Sequence, residues 1–321
     1  MSGPTIQRVH FHFRLGEWTL FDAGRNMLVR TFEPAHLEKN GGSDPELGVD
    51  LPDGVDGLFV ASMPTESPLR RIQIEGKSIR YVPEQFDRYF IEIAGTFDEY
   101  FSRFSAKSRS TLSRKIRRFA AKSGGEIDLR EYKSSQEMGE FYRLARAVSA
   151  ETYQELMFDM GLPTGKAFQA GMVVAAEQDN ARGYLLFLHG KPIAYLYCPV
   201  QEGVLLYQYL GHLRQFSDLS PGTVLLLLAL ERWYQEGKFS LFDFTEGGQA
   251  GRGEHKEFFA TRSHRCANVY YLRRSLSNLL LVVAHTLTDW LSGSVGRLLT
   301  FIGLKARVKR AMRAVKARLS T

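Results

Sequence analysis

With 321 residues, 44% of them apolar and 12% aromatic, the chain can bury a sizeable core, which excludes a disordered or low-complexity protein and points to one large or two ordinary domains. Two cysteines, Cys198 and Cys266, exclude a disulfide framework or a cysteine-built metal site and fit a reduced compartment. The formal net charge of +7 is placed unevenly: the eight Lys and Arg that follow Trp290 have no acid among them, and without them the chain is near neutral.

The opening MSGPTIQRVHFHFRLGEW lacks the charged-then-apolar order of a signal peptide, so secretion is not expected. From residue 8 to 33, RVHFHFRLGEWTLF and NMLVRTFE read as paired strands around a turn at DAGRN. His10 and His12 alternate on the first strand without a cysteine or carboxylate pair at ligand spacing, which argues against a metal site. Residues 35–57, polar and rich in Gly, Pro and Asp, read as an exposed connection. GLFVAS, RRIQIEG and KSIRYV follow as short strands, and YFIEIAG leads into one long helix from about Thr96. Its apolar positions Phe97, Phe101, Phe104, Leu112, Ile116 and Phe119 keep helical spacing, so the acid-free basic run SAKSRSTLSRKIRRFAAK shares the opposite face. That face is a solvated surface or a rim for an anion. Its phenylalanines fall on the apolar stripe rather than among the charges, which argues against nucleic acid.

SSQE at Ser134 has the form of a capping box and opens a helix to about Ala150, with Met138, Phe141, Tyr142, Ala145 and Val148 as its buried stripe. A further helix runs from Lys166 to about Gln178. The period then changes to two: ARGYLLFLHGKPIAYLYCPVQEGVLLYQYLGHLR is a meander with turns at HGKP and QEG. SPG opens an apolar helix over Thr223 to Gln235, with Ser220 as N-cap, Pro221 at the first position and Gly222 for close approach. Such a start offers unpaired N–H groups and a positive dipole end, which suits either a phosphate or a plain capped core helix. KFSLFDF is a buried strand, and TEGGQAGRGEHKEFF after it is a glycine-rich connection carrying Glu246, His255 and Lys256 beside the strand's Asp243. No G-x-S-x-G motif occurs, which argues against a serine nucleophile.

The segment from about Tyr89 to Leu272 resembles the Gcn5-related (GNAT-like) acyltransferase domain of the cellulose-biosynthesis-associated acetyltransferase family, a relative of peptidoglycan-bridge aminoacyltransferases and bacterial sphingoid-base N-acyltransferases. FDEYFSRFSAKSRSTLSRKIRRF, LFLHGKPIAYLY, YQYLGHLRQFSDLSPGTVLLLLALE and LFDFTEGG with HKEFF carry the resemblance. It implies an α+β fold, a mixed and mostly antiparallel central sheet flanked by helices. The expected organisation is a β-rich region over residues 1–88, the acyltransferase domain over 89–275 and basic amphipathic C-terminal helices over 276–321. The implied reaction moves an acyl group to an amine, with acyl-CoA as co-substrate and no permanently bound cofactor. Arg214, Ser220, Gly222 and Thr223 would hold the pyrophosphate. Lys256 would stabilise the oxyanion or grip phosphate, His255 or Glu246 would take the proton, Asp243 would join them at the acceptor, and Tyr209 or Tyr207, on one face of their strand, would donate to the departing thiolate. The family's usual Gln or Arg with spaced glycines is absent in standard form, which keeps an aminoacyl-tRNA donor open.

The tail, LSNLLLVVAHTLTDWL and the basic stretch after it, is too short and polar for a membrane span and suits a helix in an anionic membrane interface, or one packed on the protein. Truncation before Ser277 is then expected to release the protein from membrane. Two functions follow from the resemblance. One is a cytoplasmic N-acyltransferase at the inner membrane face, acting on an amine-bearing lipid, such as a sphingoid base, or an envelope glycan precursor. The other is a non-catalytic accessory protein of exopolysaccharide or cellulose synthesis, with polysaccharide acetylation as a variant.

Overall fold

The computed structural model describes residues 5–15, 18–32, 51–152, 155, 161–245 and 253–301. In chain order these form β1 (Thr5–Leu15), β2 (Trp18–Thr31), β3 (Gly57–Pro64), β4 (Ile72–Glu75), β5 (Ser78–Glu92), α1 (Phe97–Ser102), α2 (Ala106–Lys122), β6 (Asp128–Tyr132), α3 (Ser135–Ala150) and α4 (Lys166–Glu177). They continue with β7 (Ala181–Leu188), β8 (Lys191–Gln201), β9 (Val204–Leu206), β10 (Tyr209–His212), a 3-10 turn (Arg214–Leu219), α5 (Pro221–Glu236), β11 (Leu241–Asp243), α6 (Gly253–Phe259), β12 (Arg262–Arg273) and α7 (Leu276–Phe301). The architecture is α+β, mostly antiparallel strands flanked by helices, as expected. Two compact units divide it: Met1–Phe86 with Arg265–Thr321, and Asp87–His264.

In the first unit β1 pairs antiparallel with β2, β2 runs parallel to β3, and β12 lies antiparallel on β3. The expected turn at DAGRN is strand interior instead: Asp22 to Asn26 pair with His12 to Arg8, and the register brings Leu15 opposite Trp18. At Gly24 a side chain would displace only the guanidinium of the exposed Arg8. Alternation sends Met27 and Leu28 to opposite faces, each with its own apolar cluster. Phe11, Phe13, Met27, Ile79 and Tyr81 pack with Leu281 and Val282 of α7.

In the second unit the strand order is β5, β11, β9, β8, β7, β6, and among the described residues only the β9–β11 pair is parallel. The meander turns are as read from the sequence. His189–Gly190 and Glu202–Gly203 are two-residue connections with positive φ at both positions, the geometry whose twist matches a hairpin. The capping box is also present: Ser134 accepts from the Glu137 N–H, and Glu137 returns a bond to the Ser134 N–H. Met138, Phe141, Ala145 and Val148 are buried behind it. The single long helix expected from Thr96 is two. Ser105 caps a new helix by accepting from the Ser108 N–H, and the Arg109 guanidinium donates to the Ser102 and Phe104 carbonyls at the corner (2.8 and 2.6 Å). A local side-chain bond here competes with continued helix.

Strand β10 does not extend β9 along the same path. The Tyr207 N–H donates to the Asp243 carbonyl at 2.8 Å, whereas Tyr209 pairs with Tyr197 of β8. The chain therefore changes partner between Tyr207 and Tyr209, and the two tyrosines do not share one strand face as the period-two spacing predicts. Tyr207 lies against Phe242 and Phe244, and Tyr209 against Phe168 of α4.

Candidate active site

Strand β11 is three residues long and wholly buried. Its last residue, Asp243, accepts two bonds from the Arg88 Nε of β5 (3.2 and 3.1 Å) and one from the Thr245 N–H (2.8 Å). Thr245 has a φ of 57°, a left-handed conformation costly for a β-branched residue. It is held there by the Asp243 carboxylate and by its own hydroxyl, which donates to the Tyr207 carbonyl at 3.2 Å. Asp243 is thus the anchor of the strand exit, enclosed by Arg88 and Thr245 rather than open to an acceptor. Glu246 lies outside the described residues.

The chain returns in α6, which is fixed by aromatic packing. The Tyr100 hydroxyl donates to the Phe259 carbonyl at 2.9 Å, and Phe104 stacks on Phe258 at 5.0 Å and meets Phe259 edge-on at 5.9 Å. Lys256 Nζ donates to the Phe244 carbonyl at 2.8 Å and lies 5.9 Å from the Tyr207 ring, so the lysine joins α6 to the end of β11. Removing a charged donor of this kind costs about 1.5–3 kcal/mol. Lys256→Met is therefore expected to lower the melting temperature by several degrees. Turnover at saturation should stay within a few fold, which steady-state kinetics on the folded variant checks.

Between α2, the start of α5 and α6 lies a cleft of about 580 Å³, a size typical of small-ligand sites. Lys107, Ser108, Thr111 and Lys115 line it from one face of α2, Thr223 from the first turn of α5, and Glu254, His255 and Phe258 from α6. Of the residues anticipated at the site, the structure brings Thr223 and His255 together here. His255 is exposed, and its ring centre lies 4.9 Å from that of Phe259. Lost solvation first, then the positive charges of Lys115 and Lys256, hold its pKa below the ordinary histidine range, so the ring is neutral at neutral pH.

The other anticipated residues stand apart from this lining. Ser220 occupies the N-cap position of α5 in a left-handed conformation (φ 52°), and its hydroxyl makes no capping bond, unlike the cap expected from SPG. Gly222 faces β10: a side chain there would meet Leu210 at 3.2 Å. Arg214 is exposed at the start of the 3-10 turn. Tyr209 packs on Phe168, and burial raises its pKa, so its hydroxyl stays protonated. Lys107 and Lys115 are the site residues that the sequence reading did not single out. Their signal was present in the acid-free basic run, but only the packing of α2 against α5 shows which two of its cations line the cleft with Thr223.

Residues 106–257 match the family model of the acetyltransferase (GNAT) domain, a stretch that contains the whole cleft lining apart from Phe258 and Phe259. No curated protein matches the sequence. Among solved structures, FemX is similar with a TM-score of 0.49 and 10% identity over 88% of this chain and 91% of its own. L-PGS from Bacillus licheniformis follows with a TM-score of 0.40 and 16% identity over 63% of this chain and 65% of its own. A protein of unknown function from Bacteroides thetaiotaomicron is similar with a TM-score of 0.42 and 12% identity over 62% of this chain and 64% of its own. The chain thus spans less than two thirds of the length of these last two.

Proposed function

From a chain with a GNAT acetyltransferase domain match over residues 106–257, we propose an acyltransferase that passes an acyl group from acyl-CoA to an amine. The observation that carries this reading is the cleft that Lys107 and Lys115 of α2, Thr223 of the first turn of α5 and His255 of α6 line together. The lining groups differ by helix. Two ammonium groups, the hydroxyls of Ser108, Thr111 and Thr223, and the unpaired N–H groups of a helix start suit the phosphates of coenzyme A. Glu254 and a neutral His255 on α6 suit the acceptor ammonium. His255 takes its proton, the freed nitrogen lone pair attacks the thioester carbonyl, the C–N bond forms and the C–S bond breaks. Sulfur leaves as thiolate and takes the second proton that the nitrogen loses, which yields amide and coenzyme A and leaves the first proton on His255. An amine-bearing lipid or envelope precursor is the acceptor class proposed.

Calorimetry with coenzyme A, and thiol release from acyl-CoA in the presence of long-chain amines or amino sugars, test the reading. Lys107→Glu with Lys115→Glu is expected to weaken coenzyme A binding at least about tenfold at low salt, with less effect at high salt because both lysines are accessible to solvent. Binding unchanged in the folded double variant removes the cleft as donor site. Absence of both binding and thiol release in the wild type leaves the non-catalytic accessory function.

A further inference from the structure

The last described helix, α7, has two faces that the first unit treats differently. Its inner face is anchored. Asn278 accepts from Arg25 Nε (2.9 Å) and donates to the Arg273 carbonyl (3.0 Å), and Leu281 and Val282 are buried. His285 Nδ1 lies 2.6 Å from the Tyr81 hydroxyl, and Asp289 is bound by Arg71. The spacing of these positions, about one per turn, fixes the rotation of the helix. The opposite face then presents Leu276, Leu280, Val283, Leu287, Trp290 and Leu291 at exposures of 73, 60, 41, 55, 62 and 45%. An uninterrupted apolar stripe of this length on a protein surface marks an interaction site.

We propose that this stripe lies in the interfacial layer of an anionic membrane, the helix axis parallel to the surface. Three observations select that partner. Asp289 is the sole acid of α7 and points inward to Arg71, so the outer face carries no negative charge. The twenty residues after Phe301 hold seven Lys and Arg and no Asp or Glu, a charge that attracts acidic headgroups and repels a second copy of the same tail. No helix among the described residues is long and apolar enough to cross a membrane, so a surface position rather than a span is the arrangement open to α7.

Truncation before Ser277 does not test this cleanly, because it removes Leu281 and Val282 from the core of the first unit. Substitutions on the outer face do. The full chain is expected to float with vesicles of equal parts phosphatidylcholine and phosphatidylglycerol at about 0.1 M salt, and to bind less as salt shortens the reach of its charges. Leu280→Glu with Leu287→Glu and Trp290→Glu should reduce the bound fraction at least about tenfold while circular dichroism and melting temperature stay near wild type. If that variant fails to fold, fluorescence replaces it: vesicles should shift wild-type emission to the blue, and Trp290→Phe should abolish most of the shift. Vesicle binding that is absent in the wild type, or unchanged in the triple variant, overturns the proposal. So does a wild-type dimer that the triple variant dissociates without any vesicle binding, since a second copy would then cover the stripe.

Discussion

Arg88→Met is expected to destabilise the Asp87–His264 unit by about 3–5 kcal/mol, the usual cost of leaving one partner of a buried ion pair uncompensated. Arg88 stands on β5 and Asp243 ends β11, two neighbouring antiparallel strands, and both side chains are buried. Without the guanidinium, the carboxylate keeps the Thr245 N–H as its remaining partner among the described residues. That loss is a large share of the 5–15 kcal/mol typical of a folded domain. Arg88→Met with Asp243→Leu should recover much of it, because the second change removes the stranded charge rather than adding an attraction. Urea unfolding of the two variants and of Asp243→Leu closes the cycle. A cost below about 1 kcal/mol for Arg88→Met would show that the pair is not the anchor of β11.

His255→Gln is expected to reduce turnover with an amine acceptor by about 100-fold or more while coenzyme A affinity changes little, the signature of a lost general base rather than a lost binding group. The pH dependence carries the sharper test. A base works in its neutral form, so the rate rises with pH through the pKa of the group. Burial, Lys115 and Lys256 lower that pKa, which places the rising limb below the ordinary histidine value of about 6.5 and leaves a plateau at neutral pH. The limb should vanish in His255→Gln. Its survival there would assign the proton to another group, of which Glu246 was the sequence alternative.

Regular elements were legible where their determinants are local. The capping box at Ser134 with Glu137, the period-two meander with its turns at His189–Gly190 and Glu202–Gly203, and the apolar helix after Pro221 each depend on residues within a few positions of one another. The errors fall where a residue's behaviour depends on a distant partner. Composition makes DAGRN a turn, yet pairing with residues 8 to 12 turns it into strand. Spacing puts Tyr207 and Tyr209 on one face, yet Tyr207 is drawn to β11 and Tyr209 to β8.

The candidate site divides in the same way. The sequence by itself determined that a basic, acid-free helix, a helix start after SPG and a His-Lys pair after a buried strand exist in this chain, because charge and hydropathy are properties of the residues themselves. It also set the hydropathy of LSNLLLVVAHTLTDWL, apolar for about ten residues and then interrupted by His285 and Asp289. The tertiary structure decided what each element faces. It put Lys107, Lys115, Thr223 and His255 around one cleft, turned Lys256 to the Phe244 carbonyl, and closed Asp243 behind Arg88. It also decided which side of α7 is buried. Hydropathy alone cannot distinguish the inner leucine Leu281 from the outer Leu280, whereas the anchors at Asn278, His285 and Asp289 fix the rotation of the helix and leave Leu280 in solvent.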